Sequence, residues 1–172
     1  MIRTQHAYIG LGSNLGDRAG NLLLAVRGML DAGLRLTRLS SIYETEFVGG
    51  GPAIAGQPLF LNMVAELAAD AALPPPEQLL ARLLRIEYNL GRRRPAPLAP
   101  RNIDLDLLLY ADACRDTEFL TLPHPRLHLR RFVLAPLSEL APEALHPKLK
   151  QTISALLAAT MDDSTIQLWR PT

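Results

Sequence analysis

The chain has 172 residues, 48% of them hydrophobic and 20% charged, with a formal net charge of +1. That length buries a sizeable core without staples and points to one domain over residues 1–172, and the composition excludes a disordered chain. The charge gives no general pull towards nucleic acid or membrane, the lone Cys114 excludes an intrachain disulfide or a cysteine-rich zinc site, and no signal-like or bilayer-spanning run is present, so a cytoplasmic protein is expected.

Ala7 to Leu11 reads as a short apolar strand. It runs into Gly12-Ser13-Asn14-Leu15-Gly16-Asp17-Arg18, a turn-and-cap sequence that starts a helix near Asp17. The glycines lack the GxGxxG spacing and the lysine of a GxxxxGK[ST] loop, which favours a tight turn over a phosphate cradle. Leu22, Val26, Met29 and Leu30 recur at helical spacing, and Gly33 stops the run. Leu34 to Tyr43 reads as a second strand. Thr45 to Pro58 is a long Gly/Pro/Ala loop, of a length usual in lids and binding loops. Leu59 to Leu67 reads as a third strand with Phe60, Asn62, Val64 and Glu66 on one face. Asn62 either satisfies a neighbouring backbone group or reads the edge of a flat heterocycle stacked on the aromatic ring. After three prolines, a helix runs from about Glu77 to Leu90 with Leu79, Leu83, Ile86 and Leu90 on one face. Glu87 lies off that stripe and reads as solvated or salt-bridged.

Arg101 to Tyr110 reads as a buried strand. Ile103, Leu105, Leu107 and Leu109 form an aliphatic face, while Asp104 and Asp106 share the other, roughly 6.5 Å apart along it. Two neighbouring carboxylates in an apolar strand repel each other and lose hydration, so they need positive charge. Mg²⁺ would supply it, singly or as two ions sharing the pair, as in two-metal phosphoryl chemistry. A solvated edge strand, or pairing with arginines, would need no metal. Arg92, Arg93, Arg94 and Arg101 precede the pair closely, and arginines take phosphate oxygens by forked hydrogen bonds. Carboxylates beside such arginines point to a metal-bound polyphosphate.

Ala111 to Leu122 reads as a hairpin. Leu122 to Phe132 then gathers His124, His128, Arg126, Arg130 and Arg131 with an aromatic, and prolines hold His124 extended. A helix begins at Val133 and ends at Leu140-Ala141-Pro142, Thr152 to Thr160 forms a short amphipathic helix, and Ile166 to Trp169 a closing strand. The order βαββαβ is that of a ferredoxin-like α+β sandwich, an antiparallel sheet with helices on both sides.

Taken in order, Gly12-Ser13-Asn14-Leu15-Gly16, Phe60-Leu61-Asn62, Gly91-Arg92, Pro100 to Asp106, and Leu122-Pro123-His124-Pro125-Arg126 through Leu134 closely resemble the hydroxymethyldihydropterin pyrophosphokinase family of folate biosynthesis, over about Tyr8 to Pro142. The resemblance implies transfer of pyrophosphate from ATP to the hydroxymethyl group of a reduced pterin, leaving AMP. It implies that Asp104 and Asp106 hold two Mg²⁺ ions, and that Arg92 and Arg101 act with them in catalysis. ATP would be bound by Glu87, Arg94, Arg101, Leu107, His124 and Arg130. Phe60 and Phe132 would sandwich the pterin, with Thr45, Asn62 and the backbone around Val48 on its polar edge. Substrates would be small molecules, with neither nucleic acid nor membrane as partner, and the protein would be a monomer.

Pro97 and Leu98 stand where the family often has Arg and Trp, Glu46 where Pro is common, and Phe119 where some members have Arg. Three rival readings are weaker. An RNA-recognition module shares the chain order but needs exposed aromatics on a basic sheet. A nucleotide-sugar transferase needs a longer chain. A catalytically silent relative should have lost the paired aspartates.

Overall fold

The computed structural model describes residues 5–47, 56–69, 73–93 and 99–171. Strand β1 (Gln5–Ser13) leads into helix α1 (Arg18–Asp31), which Asp17 caps by accepting from Gly20 N. Then come β2 (Leu36–Leu39), β3 (Tyr43–Thr45), β4 (Phe60–Ala69), α2 (Pro76–Asn89) and β5 (Asp104–Tyr110). A small hairpin follows, β6 (Arg115–Asp116) with β7 (Thr121–Leu122), then α3 (Arg131–Leu140), α4 (Ile153–Ala159) and β8 (Ile166–Leu168). The main sheet has the order β5-β1-β4-β3-β8, with β2 also on β4, and its pairings are antiparallel.

Helices cover both faces of this α+β sheet. Ile9, Leu11, Leu61, Leu67, Leu105 and Leu107 pack against Leu22, Ala25 and Met29 of α1 and Leu79, Leu83 and Ile86 of α2. Tyr8, Val64, Leu108 and Leu109 pack against Val133, Leu134 and Leu137 of α3 and Ile153 and Leu156 of α4. Burial on this scale is the main favourable term in folding. Where α1 crosses α2, Gly28 lets the helices approach: a Cβ there would lie 2.8 Å from Ile86 Cγ2.

Several expectations are corrected. β1 continues through Gly12 to Ser13, so Gly12 is a strand residue and not part of a turn. Leu30 is 51% exposed, because α1 turns Leu22, Ala25 and Met29 inwards. The strand expected over Leu34 to Tyr43 is split. Ser40 Oγ accepts from Val64 N and its own N–H donates to Val64 O, which inserts an extra residue opposite β4. In β5 the alternation fails after Leu107, because Tyr8 faces Leu109 while Ile9 faces Leu107. That bulge puts Leu109 in the same core as Leu108, on the face away from Leu105 and Leu107.

Candidate active site

The site starts from a face with few side chains. Gly10 and Gly12 of β1 lie opposite Asp106 and Asp104 of β5 on one side, and opposite Val64 and Asn62 of β4 on the other. At Gly12 a Cβ would meet Asn62 Oδ1 at 2.9 Å and the Phe60 ring at 3.6 Å, so only glycine lets those two residues close over the strand. The depression is a cavity of about 590 Å³, a size usual for small-molecule sites. Its wall brings together ten of the residues selected from sequence: Thr45, Phe60, Asn62, Arg92, Arg101, Asp104, Asp106, His124, Arg130 and Phe132.

Asp104 is held between two guanidinium groups. Arg92 Nη1 lies 2.7 Å from one carboxylate oxygen, and Arg101 Nε lies 2.8 Å from the other, outside hydrogen-bonding line. Among the described residues Arg92 Nε is likewise buried without an acceptor. Behind them Glu87 is 3% exposed and accepts from Leu105 N at 2.6 Å while pairing with Arg92. Of the two readings of Glu87, solvated or salt-bridged, the structure has the salt-bridged one, and it is buried. β5 is the sheet edge, and the last turns of α2 bring this carboxylate to the strand's outward N–H. Burial raises the Glu87 pKa, against the lowering by the Leu105 N–H and Arg92.

Among the described residues Asp106 has no comparable partner. Loss of hydration in the cleft, then the charge of Asp104, pushes its pKa up to about 7. His124 Nε2 is 3.9 Å away, but this is no ion pair: desolvation, then Arg130 and Arg126, takes His124 down to about 4, so it is neutral at pH 7. Its Nδ1 accepts from Arg126 N at 3.2 Å, which places the proton on Nε2, towards Asp106. Among the described residues five arginines and three carboxylates line the cavity. Among the described residues no three His, Cys, Asp or Glu group as a metal centre. A pair of carboxylates beside unsatisfied guanidinium donors nevertheless fits Mg²⁺, which binds through one or two carboxylates and completes its shell with phosphate and water.

At the other end Asn62 Nδ2 donates to Thr45 Oγ1 at 2.7 Å, which turns the amide oxygen into the cavity side of Gly12. Arg101 lies over the Phe60 ring at 5.2 Å, and Arg130 over the Phe132 ring at 5.4 Å. Leu107 does not reach this cavity with its side chain, being 3% exposed in the core against α1 and α2. Val48, Arg94, Pro97 and Leu98 lie outside the described residues. Phe119 is exposed between β6 and β7.

Sequence reading passed over Phe47 and Asn14. Phe47 lines the cavity with its ring 5.9 Å from that of Phe60. Asn14, 1% exposed, anchors the arginine loop: its Oδ1 accepts from Arg101 N at 2.8 Å, and its own N–H donates to Arg101 O. The alternation Tyr8, Gly10, Gly12 is the one signal in the sequence for a side-chain-free floor.

A model of the 7,8-dihydro-6-hydroxymethylpterin-pyrophosphokinase family matches residues 8–142. The chain belongs to that family. This pyrophosphokinase-family chain is 39% identical over 165 residues to the 2-amino-4-hydroxy-6-hydroxymethyldihydropteridine pyrophosphokinase of Bacillus subtilis, covering 95% of this chain and 90% of that one. It is 39% identical over 140 residues to the enzyme of the same name from Aquifex aeolicus, covering 81% and 82%. The mitochondrial folate synthesis bifunctional protein of Pisum sativum is 43% identical over 147 residues, which are 84% of this chain and 27% of that protein. Among solved structures, Plasmodium falciparum HPPK-DHPS with pteroate superposes with a TM-score of 0.67 at 17% identity, over 91% of this chain and 42% of that one. The chain thus spans less than half of that longer protein, and the likeness there is one of fold.

Proposed function

We infer that the protein transfers pyrophosphate from ATP to 6-hydroxymethyl-7,8-dihydropterin, giving AMP and the pterin pyrophosphate, in folate synthesis. The family match and the named bacterial relatives support the reaction. The observation that carries it is one cavity with two different ends. One holds paired aspartates and arginines; the other holds Phe60, Phe132, Asn62 and Thr45.

In this reading the pterin lies between Phe60 and Phe132, with Asn62 and Thr45 on its polar edge. Arg92, Arg101 and Arg130 bind the triphosphate, and the neutral His124 donates a hydrogen bond from Nε2. Glu87 acts from behind by fixing Arg92, Val48 and Arg94 complete the two pockets, and Leu107 takes part through its main chain alone. The hydroxymethyl oxygen bonds to the β-phosphorus as the bond to the oxygen bridging α and β breaks, and its proton leaves to water. Charge accumulates on non-bridging oxygens, where aligned guanidinium groups act most strongly. Asp104 and Asp106 would hold two Mg²⁺ ions, which would supply positive charge to the triphosphate.

We further propose the ferredoxin-like βαββαβ arrangement, supported by the order β5-β1-β4-β3, and a single domain over residues 1–172 acting as a cytoplasmic monomer without nucleic-acid or membrane partners. Among the described residues no helix is long and apolar enough to cross a membrane. The test is a product assay with ATP, Mg²⁺ and the pterin. AMP and pterin pyrophosphate should form in equal amounts and vanish in Asp104→Ala. ADP as the product would overturn the assignment.

A further inference from the structure

Residues 160–169 lie beyond the stretch matched by the family model, yet they are tied to both walls of the cavity. Helix α3 has no cap of its own, since Arg130 at its N-cap position offers no side-chain acceptor. The acceptor comes from far downstream: Asp162 Oδ2 takes the N–H of Arg131 at 2.8 Å. Asp162 is itself held, with Oδ1 accepting from Ser164 N at 3.0 Å and its N–H donating to Thr160 Oγ1 at 3.3 Å. A few residues later β8 pairs with β3, setting Ile166 opposite Thr45, and Trp169 N donates to Ile42 O at 2.9 Å. Thr45 is the residue that holds the Asn62 amide.

The residue whose N–H Asp162 holds lies between Arg130 and Phe132, both in the cavity wall and stacked on each other. The first N–H groups of a helix have no partner within it, so without an outside acceptor the first turn frays. Fraying that reaches Phe132 frees its backbone from helical geometry, and with it the direction of its side chain. Phe132, in the first turn of α3, would lose its aim.

We propose that residues 160–169 clasp the pterin end of the site, and that Asp162 is a positioning residue that sets Arg130 and Phe132 by holding the first turn of α3. The inference rests on the pyrophosphokinase reading for the identity of the ligand. Holding that N–H matters for stability as well, so its test must separate aim from fold.

Three variants do so: Asp162→Ala, Asp162→Asn, which keeps a side-chain oxygen acceptor, and Thr152→Ala. Thr152 caps α4, accepting from Ala155 N at 3.2 Å, and does not line the cavity. Pterin affinity is measured by titration with Mg²⁺ and a non-hydrolysable ATP analogue, and KM and kcat by AMP release. Asp162→Ala should raise the pterin Kd and KM about fivefold, the change to which a cap's usual contribution converts. Its kcat should stay within about twofold of wild type. Asp162→Asn should restore the affinity. Thr152→Ala should lower the thermal midpoint by a similar amount and leave KM alone. An unchanged pterin Kd in Asp162→Ala, or an equal rise in Thr152→Ala, would overturn the proposal. A wild type that binds the pterin but releases no AMP would sink the reaction instead, and the Kd series would still decide on Asp162. A wild type that binds no pterin overturns both.

Discussion

Asp104 and Asp106 lie one pleat apart and meet different surroundings. Asp104 is enclosed by Arg92 and Arg101, whereas among the described residues Asp106, 40% exposed, has only the neutral His124 near it at 3.9 Å. Desolvation, then Asp104, raises the Asp106 pKa to about 7. The folded protein therefore binds that proton more tightly than the unfolded chain does. The cost of holding Asp106 charged grows as pH rises from its ordinary value of 3.8 and levels off above about 7. Asp106→Asn should remove it. The side chain is 40% exposed, so solvent screens much of the effect. We expect a gain of about 1 kcal/mol at pH 8, or about 2–4 °C in thermal midpoint, with a smaller gain at pH 5. The same variant should lose AMP formation. Thermal melts of metal-free protein at the two pH values check the first outcome, and the product assay checks the second. A residue whose removal stabilises the fold while abolishing turnover is one retained for its chemistry.

Secondary-structure elements respond to different forces. At the α1–α2 crossing, Gly28→Ala gains helix propensity but sets a methyl 2.8 Å from the branched Cγ2 of Ile86. The clash should win by about 1–2 kcal/mol, and Ile86→Leu, which has no branch at Cβ, should recover part of it in urea unfolding. At the far end of the α3 face, Glu66 is 2% exposed and receives hydrogen bonds from Thr37, Tyr8 and Arg38. Arg38 also donates to Leu140 O, tying β2 to the end of α3. Burial raises the Glu66 pKa, but the hydrogen bonds from Arg38 and Thr37 and the charges of His6 and Arg38 outweigh it, and the net shift is downwards. The stabilisation is therefore full above the ordinary glutamate value and lost as pH falls through the lowered one. Arg38→Met should cost about 2 kcal/mol at pH 7, moderated because Arg38 is half exposed, and the gap to wild type should narrow towards pH 3 in urea titrations. These elements also mark how far the sequence could be read. Period-two and helical spacings located the strands and helices, and placed Asp104, Asp106, Phe60 and Asn62 on faces that meet. The bulges at Ser40 and Leu108, the burial of Glu87 and the Asn14–Arg101 bond stayed hidden. Each depends on a partner distant in sequence, and no local period records it.

For the molecule as a whole, the site is a basin whose charges await a ligand. Among the described residues five arginines stand against three carboxylates, a balance that favours a polyanion, while the desolvated Asp106 favours a cation beside it. If Mg²⁺ enters with the triphosphate, each should raise the other's affinity by the same factor, because the coupling is reciprocal. A ligand that binds only the folded state raises its stability in proportion to the logarithm of its concentration over Kd. A non-hydrolysable ATP analogue alone should thus raise the thermal midpoint somewhat, through the arginines, and Mg²⁺ alone should do little. Together they should raise it by more than the sum of the two. A tenfold coupling corresponds to about 1.4 kcal/mol, which is about 3–6 °C for a chain of this size. In Asp106→Asn the extra rise should shrink while the response to the bare analogue remains. In Arg92→Ala the response to the bare analogue should itself fall. Midpoints that simply add in the wild type would mean that cation and phosphate bind independently, and the paired aspartates would then be neutralised by arginine alone.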